Sequence, residues 1–216
     1  KSTIMTKEKI LQLVLEKPLV PVYYNADIEI TKNIVKACYE AGIRAFEFTN
    51  RGENAVEVFS KIQPFVRENC PGMILGIGTI VDAETAEKYV KLGADFIVQP
   101  GTTKEVCEVC KKHNIAWIPG VMTPTEIYSA LSLGASMVKI FPGNIVGSAY
   151  VKALRGPMPS VKIMVTGGVE PTESSLKEWF GAGANAVGLG SQLFKDMDDI
   201  EIFKTKVKGL FSFIQP

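Results

Sequence analysis

Histidine is almost absent: the only one, His113, rules out a His-rich metal site. It also makes any serine or cysteine triad depend on one residue, which the pattern places on a helix away from the glycine-rich strand ends. Cysteine is sparse, and the four residues Cys38, Cys70, Cys107 and Cys110 fit reduced intracellular thiols better than a disulfide framework. Cys107-Glu108-Val109-Cys110 has the spacing of a redox pair or half a zinc site, but no second pair exists and His113 lies three residues on, on the same helix. We therefore read the pair as structural and expect no metal site. Neither sign of charge dominates: 24 basic residues stand against 23 acidic ones, a formal net charge of +1, with no block of like charges. That balance excludes a nucleic-acid track or an anionic-membrane surface and leaves a small molecule as the partner. Long apolar runs are missing too. Met73 to Val81, interrupted only by Thr79, is far short of the roughly 20 residues a membrane span requires, and no charged segment precedes a signal-like apolar stretch. A soluble, cytoplasmic protein is expected. The chain opens on Lys1 rather than methionine, as it would after loss of residues.

What is present is a repeat. Ala41-Gly42-Ile43, Leu92-Gly93-Ala94, Leu133-Gly134-Ala135 and Ala182-Gly183-Ala184 each follow a helical apolar pattern and precede a short strand pattern. Glycine just past a helix end adopts positive φ easily, so each marks a helix-to-strand junction. Between consecutive members lies one further apolar strand, at Met73 to Ile77, Ile115 to Ile118 and Val161 to Val165; with Leu19 to Tyr23 at the start, the strands number eight. Eight strands alternating with helices, at about 25 residues per unit, predict an α/β fold, a single (β/α)8 barrel over residues 1–216. An open doubly wound sheet is the rival, but Gly76-Ile77-Gly78 lacks the third glycine of a dinucleotide fingerprint. A first helix, around Lys7 to Glu16, precedes the first strand and is placed to cap the barrel's bottom. The last helix carries one buried face at Ile200, Phe203, Val207, Leu210, Phe211 and Ile214.

Barrel active sites form at the C-terminal ends of the strands, and these ends are rich in chemistry. The sixth strand, Met137-Val138-Lys139-Ile140-Phe141, is apolar except for one amine. A lysine has an ordinary pKa near 10.4, and desolvation lowers it toward the neutral nucleophile of Schiff-base chemistry. A lysine near a strand end can equally lay its stem on apolar surface with its head in water. The second strand carries Glu47 between Phe46 and Phe48, a costly place for a carboxylate without a partner. Strands two and six lie opposite one another in a barrel, so Glu47 and Lys139 can converge, either as a buried ion pair or as nucleophile and proton shuttle. Arg51 falls on the loop above, where a guanidinium can grip a carboxylate through two parallel hydrogen bonds. Gly167-Gly168 after strand seven, and Gly188 and Gly190 with Ser191 after strand eight, let backbone N–H groups approach a phosphate, with Ser191 opening the last helix.

In order and spacing these residues resemble the 2-keto-3-deoxy-6-phosphogluconate (KDPG) and 4-hydroxy-2-oxoglutarate (KHG) aldolase family, class I pyruvate aldolases. The resemblance covers nearly the whole chain. It rests on Val20-Pro21-Val22, Glu47-Phe48-Thr49 with Arg51, Gly78-Thr79, Pro100-Gly101, Ile118-Pro119-Gly120, Lys139-Ile140-Phe141-Pro142, Thr166-Gly167-Gly168 and Gly190-Ser191. It implies that Lys139 forms the Schiff base, that Glu47 moves protons, and that Arg51 and Thr79 hold the carboxylate. It also implies that Pro100 and Phe141 line the pocket, that Thr166 contacts substrate, and that Gly167, Gly168, Gly190 and Ser191 take the distal phosphate. No cofactor and a homotrimer are further implications. Two departures stand out: Leu189-Gly190-Ser191-Gln192 where relatives often carry Gly-Gly-Ser-Trp, and Asn50 where leucine is frequent. They leave open the galactonate epimer or unphosphorylated 4-hydroxy-2-oxoglutarate as substrate. A phosphate-binding isomerase or epimerase barrel, or a non-catalytic sugar-phosphate binder, is the reading outside the family.

Overall fold

The computed structural model describes residues 5–195 and 197–214. The strand segments are β1 Leu19–Tyr23, β2 Ala45–Thr49, β3 Ile74–Gly78, β4 Phe96–Val98, β5 Ala116–Ile118, β6 Gly120–Val121, β7 Val138–Ile140, β8 Ile163–Thr166 and β9 Ala186–Leu189. Their neighbour order is β5-β4-β3-β2-β1-β9-β8-β7-β6, and every pairing is parallel. β5 and β6 stand at the two ends of that order, yet only Pro119 separates them in the chain. They are two halves of one bent strand, the first paired with β4 and the second with β7. Proline has no N–H to donate to a ladder, but its carbonyl accepts the Lys139 N–H at 2.8 Å. Gly120 lets the bend close up, since a Cβ there would lie 2.2 Å from the Pro100 carbonyl oxygen. The nine segments are thus eight strands closed into a (β/α)8 barrel, as expected. The sequence's strands six, seven and eight are β7, β8 and β9.

The glycine repeat does what its position requires. Gly42, Gly93, Gly134 and Gly183 have φ of +102°, +88°, +97° and +105°. At each, the glycine N–H and the next residue's N–H return to carbonyls three and five positions back, for example Gly93 to Val90 and Ala94 to Tyr89, both at 3.0 Å. This paired closure satisfies carbonyls that a helix end leaves free. A fifth copy escaped the glycine pattern: Asn114, at φ 53°, ends the helix Lys104–His113 in the same way. Leu19–Tyr23 keeps its expected bounds, whereas Ile74–Gly78 and Ile163–Thr166 start one and two residues later than the sequence suggested.

Alternation along the strands separates two cores. Leu19, Phe46, Phe48, Ile77, Val138, Ile140, Val165 and Val187 face outward into a layer shared with the helices. Val20, Ala45, Ile74, Phe96, Ala116, Met137, Met164 and Ala186 face inward. The helix Lys7–Glu16 adds Ile10 and Val14 to that inner cluster and so plugs the bottom of the barrel. At the other terminus the helix is Ile200–Leu210, followed by a short 3₁₀ turn at Phe211–Phe213. Its buried face is Phe203, Val207 and Leu210, whereas Ile200 is exposed. Cys107 and Cys110 are buried on their helix, and all four cysteines are free thiols. Burial pushes Cys110 up to about 12, the behaviour of an inert core thiol.

Candidate active site

Two charged side chains interrupt the apolar interior at the C-terminal end of the barrel. On β2, Phe46 and Phe48 point out to the helices while Glu47, one step above Ala45, turns inward; on β7, Val138 and Ile140 point out and Lys139 turns inward. Lys139 Nζ and Glu47 Oε1 are 3.9 Å apart, with 5 % and 1 % of their side chains exposed. That separation is too long for a direct hydrogen bond and short enough for one water or one substrate atom to bridge. Burial pushes the Glu47 carboxyl above its ordinary value, against the pull of the Lys139 and Arg51 charges. Its second oxygen, Oε2, is buried with no hydrogen-bond partner among the described residues, as is Thr166 Oγ1. Lys139 Nζ also lies 4.9 Å from the centroid of the Phe141 ring.

Glycines make the room. A Cβ on Gly78 would sit 1.8 Å from Glu47 Oε1, and one on Gly76 would sit 2.2 Å from the Phe96 ring. The Gly-Ile-Gly of β3 is therefore a space for a carboxylate and a ring, unrelated to dinucleotide binding. Gly188 does the same for Thr166, whose Oγ1 would be 2.5 Å from an added Cβ. Sequence reasoning placed Gly78 and Gly188 at strand ends but did not see this role; the signal was glycine recurring at inward positions.

The loops bring the other expected residues to the same end. Arg51 is exposed on the loop after β2. Thr79, directly after β3, has φ +63°, a genuine outlier for a β-branched residue and a kind of strain that collects at functional sites. Pro100 and Phe141 are half-buried at the ends of their strands. Past a cis Phe141–Pro142 bond, Gly143 packs so closely on the β8 loop that a Cβ would meet Val165 Cγ1 at 2.6 Å, while the Asn144 N–H donates to the Gly167 carbonyl at 2.9 Å. Gly167 and Gly168 both have positive φ, at +94° and +75°.

One expectation is corrected. Ser191 does not open the last helix; it begins a 3₁₀ turn, Ser191–Phe194, and the helix starts at Ile200. The turn serves the core instead: Leu193 is buried, and the Phe194 ring lies 4.7 Å from that of Tyr23 and 6.0 Å from that of Phe203. Any anion beside Gly190 and Ser191 meets a single turn rather than a full helix dipole. A separate cavity of 710 Å³ lies at the opposite, N-terminal end of the strands, lined by Gln63, Arg67, Met73 and Asp95 among others. Its Arg67 and Asp95 are already paired at 2.5 Å, so cavity size alone points away from the chemistry.

The description "KDPG and KHG aldolase" belongs to the family model that matches residues 10–205. The chain belongs to this family. It is a carbon–carbon lyase of the aldolase type. The 2-dehydro-3-deoxy-phosphogluconate aldolase of Treponema pallidum is 35 % identical over 152 residues, 70 % of each chain. The probable 2-dehydro-3-deoxy-6-phosphogalactonate aldolase of Rhizobium meliloti is 29 % identical over 182 residues, 84 % of each. Among solved structures, the Zymomonas mobilis ZM4 2-keto-3-deoxy-6-phosphogluconate aldolase with 3-phosphoglycerate superposes with a TM-score of 0.82 at 26 % identity, covering 97 % of this chain and 98 % of that one.

Proposed function

We propose that this aldolase works through a Schiff base on Lys139 and cleaves 2-dehydro-3-deoxy-6-phosphogluconate into pyruvate and glyceraldehyde 3-phosphate. The observation that carries the reading is the buried Lys139–Glu47 pair, 3.9 Å apart, with an unsatisfied carboxylate oxygen. Replacing a buried ion pair by apolar residues often leaves stability unchanged or improved, so the pair is better explained by chemistry than by folding. Lys139 Nζ attacks the C2 carbonyl carbon, and the carbonyl oxygen becomes a carbinolamine hydroxyl. Glu47 gives that hydroxyl a proton and it leaves as water, while the nitrogen lone pair closes to an iminium. The Glu47 carboxylate then takes the proton of the C4 hydroxyl. The O–H pair left on that oxygen closes to the aldehyde C=O, the C3–C4 bond breaks, and its pair is held as the enamine. Glu47 returns the proton to C3, and water at C2 releases pyruvate and the free amine.

In this reading Arg51 and Thr79 hold the carboxylate, Pro100 and Phe141 line the pocket, Thr166 binds substrate, and Gly167, Gly168, Gly190 and Ser191 receive the phosphate. A relative crystallised with 3-phosphoglycerate supports a phosphorylated three-carbon end. A relative named for the phosphogalactonate substrate supports the C4 epimer as a second reading; kcat/KM for the two epimers, and for 4-hydroxy-2-oxoglutarate, ranks them. A homotrimer belongs to the same reading and is checked by sedimentation. The deciding experiment is incubation with pyruvate, reduction with borohydride and peptide mass spectrometry. An adduct on Lys139 is expected. A folded protein with no adduct there would overturn the Schiff-base assignment.

A further inference from the structure

Tyr89 lies outside the barrel interior, on the helix Ala83–Lys91, and is fully buried. Its ring stands edge-on to Phe59, centroids 5.1 Å apart at 87°, packing that phenylalanine would supply equally. Its hydroxyl donates to Asn50 Oδ1 at 2.8 Å, across 39 residues of chain. A buried tyrosine hydroxyl needs a partner, and this one has found the residue immediately before Arg51. Asn50 is also held by its backbone, whose N–H donates to the Gly78 carbonyl at 2.9 Å, and the Arg51 N–H donates to the Thr49 carbonyl at 2.9 Å. On the far side of Arg51, Gly52 lies against Tyr24: an added Cβ would be 2.0 Å from the Tyr24 hydroxyl. The Tyr24 ring in turn packs on Phe48, centroids 5.6 Å apart. Residue 50 is thus fixed at backbone and side chain, and residue 52 is fixed by contact, while Arg51 between them projects with an exposed side chain.

We propose that Tyr89 and Asn50 form a positioning pair that fixes Arg51 above the Glu47–Lys139 centre and so sets the affinity for the carboxylate of the keto acid. The proposal rests on the reading of Arg51 as the carboxylate's grip. A guanidinium that makes two parallel hydrogen bonds tolerates little misplacement of its stem. Loss of the tie therefore loosens binding more than it slows the steps at Lys139. Tyr89 is a positioning residue only, since it touches neither Lys139 nor Glu47.

The test is Tyr89→Phe, which removes one oxygen and keeps the ring packing. The readouts are KM and kcat for keto-acid cleavage and the pyruvate concentration that half-saturates borohydride trapping on Lys139. KM and the half-saturating pyruvate concentration should both rise about threefold to tenfold, the range in which one hydrogen bond's net contribution falls, with a smaller change in kcat. Asn50→Leu should act alike, and the double variant should add little. The same change made in an Arg51→Ala background should leave both values where Arg51→Ala alone puts them. An unchanged half-saturation in Tyr89→Phe, or a rise that persists undiminished without Arg51, overturns the positioning role and leaves the grip reading standing. An Arg51→Ala variant that binds pyruvate normally overturns the grip reading itself, and the proposal with it.

Discussion

Gly78→Ala tests the geometry of the centre without touching either charged residue. An alanine Cβ at this position lies 1.8 Å from Glu47 Oε1 and 2.7 Å from its Cδ, where ordinary contact begins near 3.4 Å. The backbone has little freedom to yield: Gly78 pairs with Thr49 in the ladder, and its carbonyl holds the Asn50 N–H at 2.9 Å. The side chain of Glu47 must therefore retreat, and the oxygen pushed is the one that faces Lys139 at 3.9 Å. Misplacing a catalytic group by an ångström or so costs on the order of 100-fold, and losing a general acid–base altogether costs about 10²- to 10⁴-fold. We expect kcat to fall about 100-fold, with a stability loss of about 1–3 kcal/mol from overpacking. Gly76→Ala is the control. It lies on the same strand and the same inward face, and its Cβ meets the Phe96 ring at 2.2–2.3 Å rather than Glu47. It should lose comparable stability and far less kcat. Steady-state cleavage rates and melting curves of both variants decide the matter; equal kcat losses in the two would refute a carboxylate acting from this position.

Lys139→Ala should fold, give no borohydride adduct with pyruvate and lose turnover; normal turnover would end the assignment of the nucleophile. Glu47→Gln should cut kcat by about 10²- to 10⁴-fold and shift stability with pH. Burial raises the folded-state pKa of Glu47, so the wild type holds its full stability below the ordinary carboxyl range and loses some as pH rises through the raised value. The glutamine variant should therefore melt higher than the wild type at pH 8, with the gap closing on acidification; a gap independent of pH would contradict the raised value. Thr166→Val removes a buried hydroxyl that has no hydrogen-bond partner among the described residues. It should raise stability by about 1 kcal/mol while lowering kcat/KM; a destabilised variant with unchanged kcat/KM would make the hydroxyl structural.

Much of the barrel is legible because its signals are local. A glycine that must take positive φ after a helix leaves a mark in the sequence, and four of the five junctions of this type carry it; Asn114 does the same work and hid from a search for glycine. Ile118-Pro119-Gly120 read as the end of the fifth strand rather than as a bend within it, since only closure shows that two halves of one strand pair with different neighbours. Lys139 and Glu47 stood out because a charge in an apolar strand needs a reason, and barrel symmetry places the two strands opposite one another. The tie between Tyr89 and Asn50 had no such mark. It joins a helix to a loop 39 residues away in the chain, and each residue alone looks ordinary. Ser191 was misread because the rule that a serine opens a helix is local, whereas the 3₁₀ turn is fixed by Leu193 and Phe194 finding the core.

The interior also divides its tasks by height. Moving up two residues on a strand exchanges an apolar filler for a polar side chain or a glycine: Ala45 to Glu47, Ile74 to Gly76, Met137 to Lys139, Met164 to Thr166, Ala186 to Gly188. The lower layer, closed by Ile10 and Val14 of the first helix, buries the apolar area that stabilises the barrel at roughly 25 cal/mol per Å². The upper layer does the opposite. It buries a carboxylate, an amine and a free hydroxyl, and it spends glycine on space instead of contacts, each of which costs stability. These costs collect at the carbonyl ends of the strands and their loops, the end at which barrel active sites form.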